Sequence, residues 1–210
     1  MPLSCRVAIA LATVLALGAS ASVFADGNAT RGKILSYTCL GCHGIEDYRN
    51  AYPDYTVPRL GGQHADYIVA ALKEYAADTR THVTMHVQAS TLSDQDMQDV
   101  AAYFSSETDI KSGAQTVGTP PAKVTQLCVS CHGKDGVGIS GAYPTLKDQH
   151  ADYLEQALEE YKSGERKNPV MSTFVVGLTA QDISAIAEYY SAQSPGLKTL
   201  DRRLTFLSAK

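Results

Sequence analysis

The chain has almost no cysteine beyond what two short motifs use. It holds five in 210 residues, and four of them sit in paired segments at 39–43 and 128–132. The fifth, Cys5, stands ahead of an N-terminal apolar run, where no lipoprotein-type cysteine belongs. Exported proteins ordinarily use spare cysteines for disulfides; none is left here for that purpose. Long apolar runs are scarce too. Val7 to Leu17 is one, interrupted only by Thr13, and no other stretch approaches the roughly 18 residues a bilayer span needs. With Arg6 before it and Val23-Phe24-Ala25 after it, this run has the layout of an export signal. Cleavage is expected after Ala25, with an uncleaved anchor as the alternative. Positive charge is not in excess: 18 Lys and Arg stand against 22 Asp and Glu, for a net charge of −4. That balance argues against nucleic-acid binding and fits a basic partner surface. No segment alternates apolar and polar residues as a half-buried strand does. No nucleophile–base constellation stands out. Gly133-Lys134-Asp135-Gly136-Val137-Gly138 lacks the spacing of a phosphate loop. Asp94, Asp96 and Asp99 read as a solvated helix face.

What is present is C-x-x-C-H, twice: Cys39-Leu40-Gly41-Cys42-His43 and Cys128-Val129-Ser130-Cys131-His132. This is the attachment pattern of a c-type haem. Two thiols must reach the two vinyl groups on one side of a porphyrin, and the next residue must bring an imidazole nitrogen to the iron. One copy alone could belong to a zinc or redox site. Two copies, with no other cysteine after the signal, predict two covalently bound haem c groups. Cys39, Cys42, Cys128 and Cys131 are the expected attachment points, and His43 and His132 the expected proximal iron ligands. A ligating imidazole needs an acceptor for its second N–H. The carbonyls of Pro58 and Pro144, 15 and 12 residues beyond their histidines, are the expected acceptors.

The motifs belong to a longer duplication. Val57 to Tyr67 answers Tyr143 to Tyr153 at an offset of 86, and Met85, Leu92 and Tyr103 answer Met171, Leu178 and Tyr189 at the same offset. Two tandem units of about 90 residues follow, small for a self-sufficient core without a buried porphyrin. The expected division is a signal over 1–25, a first domain over 26–112, a linker over 113–122 rich in Gly and Pro, and a second domain over 123–210. Each unit reads as helices: Ala29 to Thr38, His64 to Ala77 with its twin from His150 to Tyr161, and helices ending near Ser105 and Ser191. Ser93 with Asp96, and Thr179 with Asp182, have the form of helix starts. The expected fold class is therefore all-α, with two tandem haem domains.

The second axial ligand decides what such a protein does. Met85 and Met171 occupy matching positions, expected in loops, each five residues after an arginine (Arg80, Arg166). Ligation at both haems is the best account of the match, with a core-filling role as the alternative. Met97 aligns with Ile183 inside a helix and reads as core. His64 and His150 also match, at predicted helix starts, while His82 and His86 flank Met85 without counterparts; bis-His ligation is the competing reading. His/Met ligation raises the potential and closes both axial positions, as suits an electron carrier.

These pieces together resemble the dihaem cytochrome c4 family over about Asp26 to Ser194. The specific features are the tandem motifs, Pro58-x-Leu60-x-Gly62-Gln63, Pro144-x-Leu146-x-x-Gln149 and the two methionines. The resemblance implies two cytochrome c domains about a pseudo-twofold axis, with haem propionate edges near the interface. It also implies a periplasmic carrier, often membrane-associated, passing electrons from a quinol-oxidising complex or soluble donor toward a terminal oxidase or reductase. The rival readings are an electron-transfer subunit of a periplasmic dehydrogenase and a dihaem enzyme with an open haem. Two departures stand out. Pro120 and Pro121 leave a truncated helix before the second haem motif. The chain also runs past Ser194 with Leu197, Leu200, Leu204 and Leu207 at helical steps. That 195–210 tail is expected to be a terminal helix on the second domain, with a basic docking segment as the alternative.

Overall fold

A computed structural model describes residues 26–202 apart from Asp109 and Ala114. The expected export signal, Leu204 and Leu207 lie outside the described residues. Among those described there is no β-strand, only three isolated bridges.

The first unit opens with α1 (Ala29–Leu35), capped by the Asn28 side chain, which accepts the Arg31 N–H. A turn of 3-10 helix over Cys39–Gly41 follows, then α2 (Ala65–Ala76), α3 (Val83–Ser90) and α4 (Asp94–Ser106). Ile68, Leu72 and Tyr75 of α2 meet Met97, Val100 and Phe104 of α4 in one core. Helix α1 packs against α4, and Gly32 allows it: a Cβ there would lie 1.8 Å from the Asp99 carbonyl oxygen. Asp99 departs from the solvated face expected of it. It is buried and accepts from the Asn28 N–H at 2.8 Å, from Gln95 Nε2 at 2.9 Å and from the Arg31 guanidinium. The acid ties down the start of α1, so its burial is satisfied.

The second unit repeats this plan. Residues 122–132 wind without a break: a wider π turn over Val124–Cys128 leads into α5 (Val129–His132). The start at residue 122, just after Pro121, is the truncation expected from the prolines, which cannot sit deeper in a helix. Then come α6 (Ala151–Ser163), α7 (Pro169–Val175) and α8 (Ala180–Ser191). Both expected helix starts are full capping boxes, Ser93 with Asp96 and Thr179 with Asp182.

The units face each other through reciprocal contacts. Gln63 Nε2 donates to the Thr145 carbonyl at 2.9 Å, and Gln63 Oε1 accepts the Thr145 N–H at 2.8 Å. Gln149 does the same to Arg59, at 3.0 and 2.9 Å. Gln149 and Thr145 are Gln63 and Arg59 displaced by the duplication offset of 86. Contacts i to j and j to i are the mark of a twofold relation. Arg80 and Arg166, also 86 apart, pair backbone to backbone across the same axis.

The tail does not form the expected helix over 195–201. It crosses the interface extended. The Leu197 N–H donates to the Lys147 carbonyl at 3.0 Å, and Lys198 exchanges bonds of 3.0 and 2.9 Å with Gly61, the counterpart of Lys147. Leu197 is fully buried. Leu200 packs against the first unit's core, and Arg202 lies over the Tyr37 ring at 5.0 Å. The leucine spacing that resembled a helix serves one leucine to the seam and the next to the far domain.

Replacing Gln149 with Leu would strand both backbone groups of Arg59, at a cost of about 2 kcal/mol. Denaturant unfolding of Gln149→Leu is expected to show two transitions, one per unit, where the parent shows one.

Candidate functional site

Each C-x-x-C-H segment is wound so that its histidine turns back beneath the first cysteine. The His43 N–H donates to the Cys39 carbonyl at 2.9 Å. His132 ends α5, where Gly133, at φ 72°, reverses the chain. The side chains then make equivalent bonds. His43 Nδ1 lies 2.8 Å from the Pro58 carbonyl oxygen, and His132 Nδ1 lies 3.0 Å from that of Pro144. A carbonyl can only accept, so Nδ1 carries the hydrogen and Nε2 keeps its lone pair for a metal. These are the acceptors expected from the spacing. Burial holds both imidazoles in the neutral form. It outweighs the Pro58 bond and, with the charges of His82 and Arg80, pushes His43 down to about 4. It lowers His132 as well.

The four cysteines are half-buried and unpaired with one another. Burial pushes the Cys39 thiol up and that of Cys128 to about 11. In neither motif do the two thiols and the imidazole converge on a common point among the described residues, as a zinc site would require; the group that does converge is Glu46, Asp47 and His150, elsewhere. A neutral imidazole with one committed nitrogen beside two free thiols is the donor set a c-type haem needs.

Met85 and Met171 are not in loops. Each is the third residue of a short helix, α3 or α7, because His82 and Asn168 cap those helices and accept the methionine N–H at 3.3 and 3.1 Å. Met85 borders the same core as Cys39, and Met171 the same core as Cys128. The competing histidines have other work. His82 is the α3 cap, His86 Nδ1 donates to the Tyr75 carbonyl at 2.9 Å, and His64 Nε2 donates across the interface to Gly138 at 3.2 Å. His150 lies beside Glu46 and Asp47. Met97 is core, as expected.

Sequence reasoning missed what Arg80 and Arg166 do. Both are buried. Each stacks on a tyrosine ring, Arg80 over Tyr75 and Arg166 over Tyr161, both at 4.4 Å. Each also reaches across the axis: Arg80 to the Tyr153 hydroxyl and Arg166 to the Tyr67 hydroxyl, both at 2.8 Å. Their match at the duplication offset was the available signal.

A cytochrome c family model matches residues 29–107 and 122–192. The chain belongs to the cytochrome c family. It is 32% identical over 191 residues to a cytochrome c4 of Pseudomonas aeruginosa, covering 84% of this chain and 94% of that one. The crystal structure of reduced recombinant cytochrome c4 from Pseudomonas stutzeri superposes with a TM-score of 0.64 at 28% identity, covering 80% of this chain and 99% of that one. A thiosulfate dehydrogenase electron acceptor of Stutzerimonas stutzeri is 29% identical over 169 residues, covering 73% of this chain and 77% of that one. The chain is thus a dihaem electron-transfer cytochrome of the c4 type, a carrier and not an enzyme, with two covalently attached haem c groups at its two motifs.

Intact mass of the purified protein is expected to exceed that of the polypeptide by two haems, and acidified acetone is expected to extract neither.

Proposed function

We propose that this cytochrome carries single electrons in the periplasm, with His43 and Met85 as axial ligands of one haem and His132 and Met171 as those of the other. Cys39, Cys42, Cys128 and Cys131 form the thioether bonds. The bound haems supply the one-electron change at iron. The chain's own residues set its conditions. The Pro58 and Pro144 carbonyls fix each imidazole and raise its basicity as a ligand. The capped first turns of α3 and α7 hold the methionines at equivalent places in both units. The observation that carries the reading is this pairing: each unit provides one histidine committed to a proline carbonyl and one methionine at the matching place of a capped helix. Single substitutions test it. Met85→Ala and Met171→Ala are each expected to abolish the sulfur-to-iron absorption band of one haem and to open that haem alone to carbon monoxide. Met97→Leu is expected to change neither.

The donor is a quinol-oxidising complex or a soluble donor, and the acceptor a terminal oxidase or reductase. An electron-accepting role toward a periplasmic dehydrogenase stands as a second reading, because relatives named as thiosulfate dehydrogenase electron acceptors share 27–29% of their residues with this chain. Stopped-flow mixing separates the two. Rapid oxidation of the reduced protein by oxidase-bearing membranes supports the respiratory reading, and rapid reduction by a dehydrogenase with its substrate supports the second. Periplasmic extracts are expected to contain the protein with residues 1–25 removed.

A further inference from the structure

His64 and His150 are counterparts at the duplication offset of 86, yet their rings meet different surroundings. His64 Nε2 donates across the interface to the Gly138 carbonyl at 3.2 Å. That carbonyl belongs to the loop after the second haem motif. The loop after the first motif meets His150 with two carboxylates instead. One donor atom each from Glu46, Asp47 and His150 lies within 4.8 Å of the other two. The turn itself is shared: Asp47 stands four residues past His43 as Gly136 stands four past His132, and both are left-handed, at φ 53° and 83°. Only the first unit carries a carboxylate there.

His150 is 9% exposed, and among the described residues its ring forms no hydrogen bond and no ion pair. Nor does the Asp47 carboxylate. A buried imidazole ordinarily has a partner, so this one is aimed into a gap. Burial, then the Arg59 charge, lower the imidazole and keep it neutral, with a lone pair to give. Burial disfavours the Glu46 carboxylate, but Arg59, bonded to it at 2.8 Å, holds it below its ordinary value. That bond leaves lone pairs of the carboxylate unused. The charges felt at His150 are Arg59 against Asp152, Glu46 and Asp47, an anionic excess around a neutral nitrogen donor.

One imidazole with two carboxylates suits a first-row transition cation, whereas magnesium and calcium prefer oxygen alone. Zinc holds such donors at about 2.0–2.2 Å and takes water as a fourth ligand. Small rotations of the two exposed acids close the distance that remains. We propose that Glu46, Asp47 and His150 form a binding site for a divalent transition cation, with Zn2+ as the redox-inert case, and that the ion bridges the two units. Its ligands come from both units, so it binds their native pairing and stabilises it. The site is independent of the axial-ligand reading above.

The test uses the full oxidised holoprotein, cleared of loose metal by a chelator and titrated calorimetrically with Zn2+. One ion per chain is expected. His150→Gln and Asp47→Asn are each expected to raise its Kd at least tenfold. Asn tolerates the left-handed backbone at position 47, and the haem absorption spectrum shows that each variant is folded. Mg2+ is expected not to compete. Thermal unfolding gives a second readout: Zn2+ is expected to raise the midpoint of the parent and of neither variant. If His150→Gln does not accumulate, Glu46→Gln takes its place with the same expectation. No binding below about 1 mM Zn2+, as a gap filled by water would give, overturns the proposal. So does binding that either variant retains at full strength, which would put the ion on other surface groups. Equal competition by Mg2+ also overturns it, because such a site would not use the imidazole.

Discussion

One short segment in each unit does three jobs, and the rest of the structure depends on it. In the first unit Pro58 offers its carbonyl to His43, Arg59 exchanges both backbone bonds with Gln149, and Gly61 pairs with the tail. In the second unit Pro144 serves His132, Thr145 pairs with Gln63, and Lys147 receives Leu197. The imidazole orientation, the domain interface and the tail are therefore fixed by the same few residues. A shift of either segment would disturb all three at once. Proline suits the first position: its φ is set, and it has no N–H of its own to satisfy.

The interface built on these segments is polar rather than greasy. Its centre is glutamine amides on backbone groups, then arginines between tyrosine rings. Buried polar groups are tolerable only when every partner is present, and here the glutamine bonds are complete on both sides of the axis. The arginines are the exception: each stacks on a tyrosine ring and bonds a phenol of the other unit, while its Nε–H is buried without a partner. Asp152 breaks the symmetry. It accepts the Thr56 N–H, the Thr56 hydroxyl and Arg49, a set tied to the longer first loop between His43 and Pro58. The two units match in their candidate ligand residues and differ in this contact.

Much of this was legible in the sequence because its causes are local. The C-x-x-C-H motifs, the capping boxes at Ser93 and Thr179, the apolar faces of α2 and α6 and the proline acceptors all follow from short spacings. What was illegible is non-local. Gln63 and Gln149 show only as a repeated residue; that each bonds to the other's unit emerges in three dimensions. Asp99 looked solvated because it follows Asp94 and Asp96, but it falls on the side of α4 that Gly32 allows α1 to approach. The methionines looked like loop residues because helices of seven and eight residues carry little periodicity. The tail leucines matched a helical step by spacing alone, while Pro195 and Gly196 had already ended the helix.

The proposed function requires two haems in one chain, each closed by a histidine and a methionine. Its most direct test is the absorption spectrum of the purified protein, oxidised, reduced, and reduced under carbon monoxide. The account predicts a sulfur-to-iron band with the intensity of two haems and no change on adding carbon monoxide. A carbon monoxide shift at either haem, or a band with the intensity of one, would contradict it.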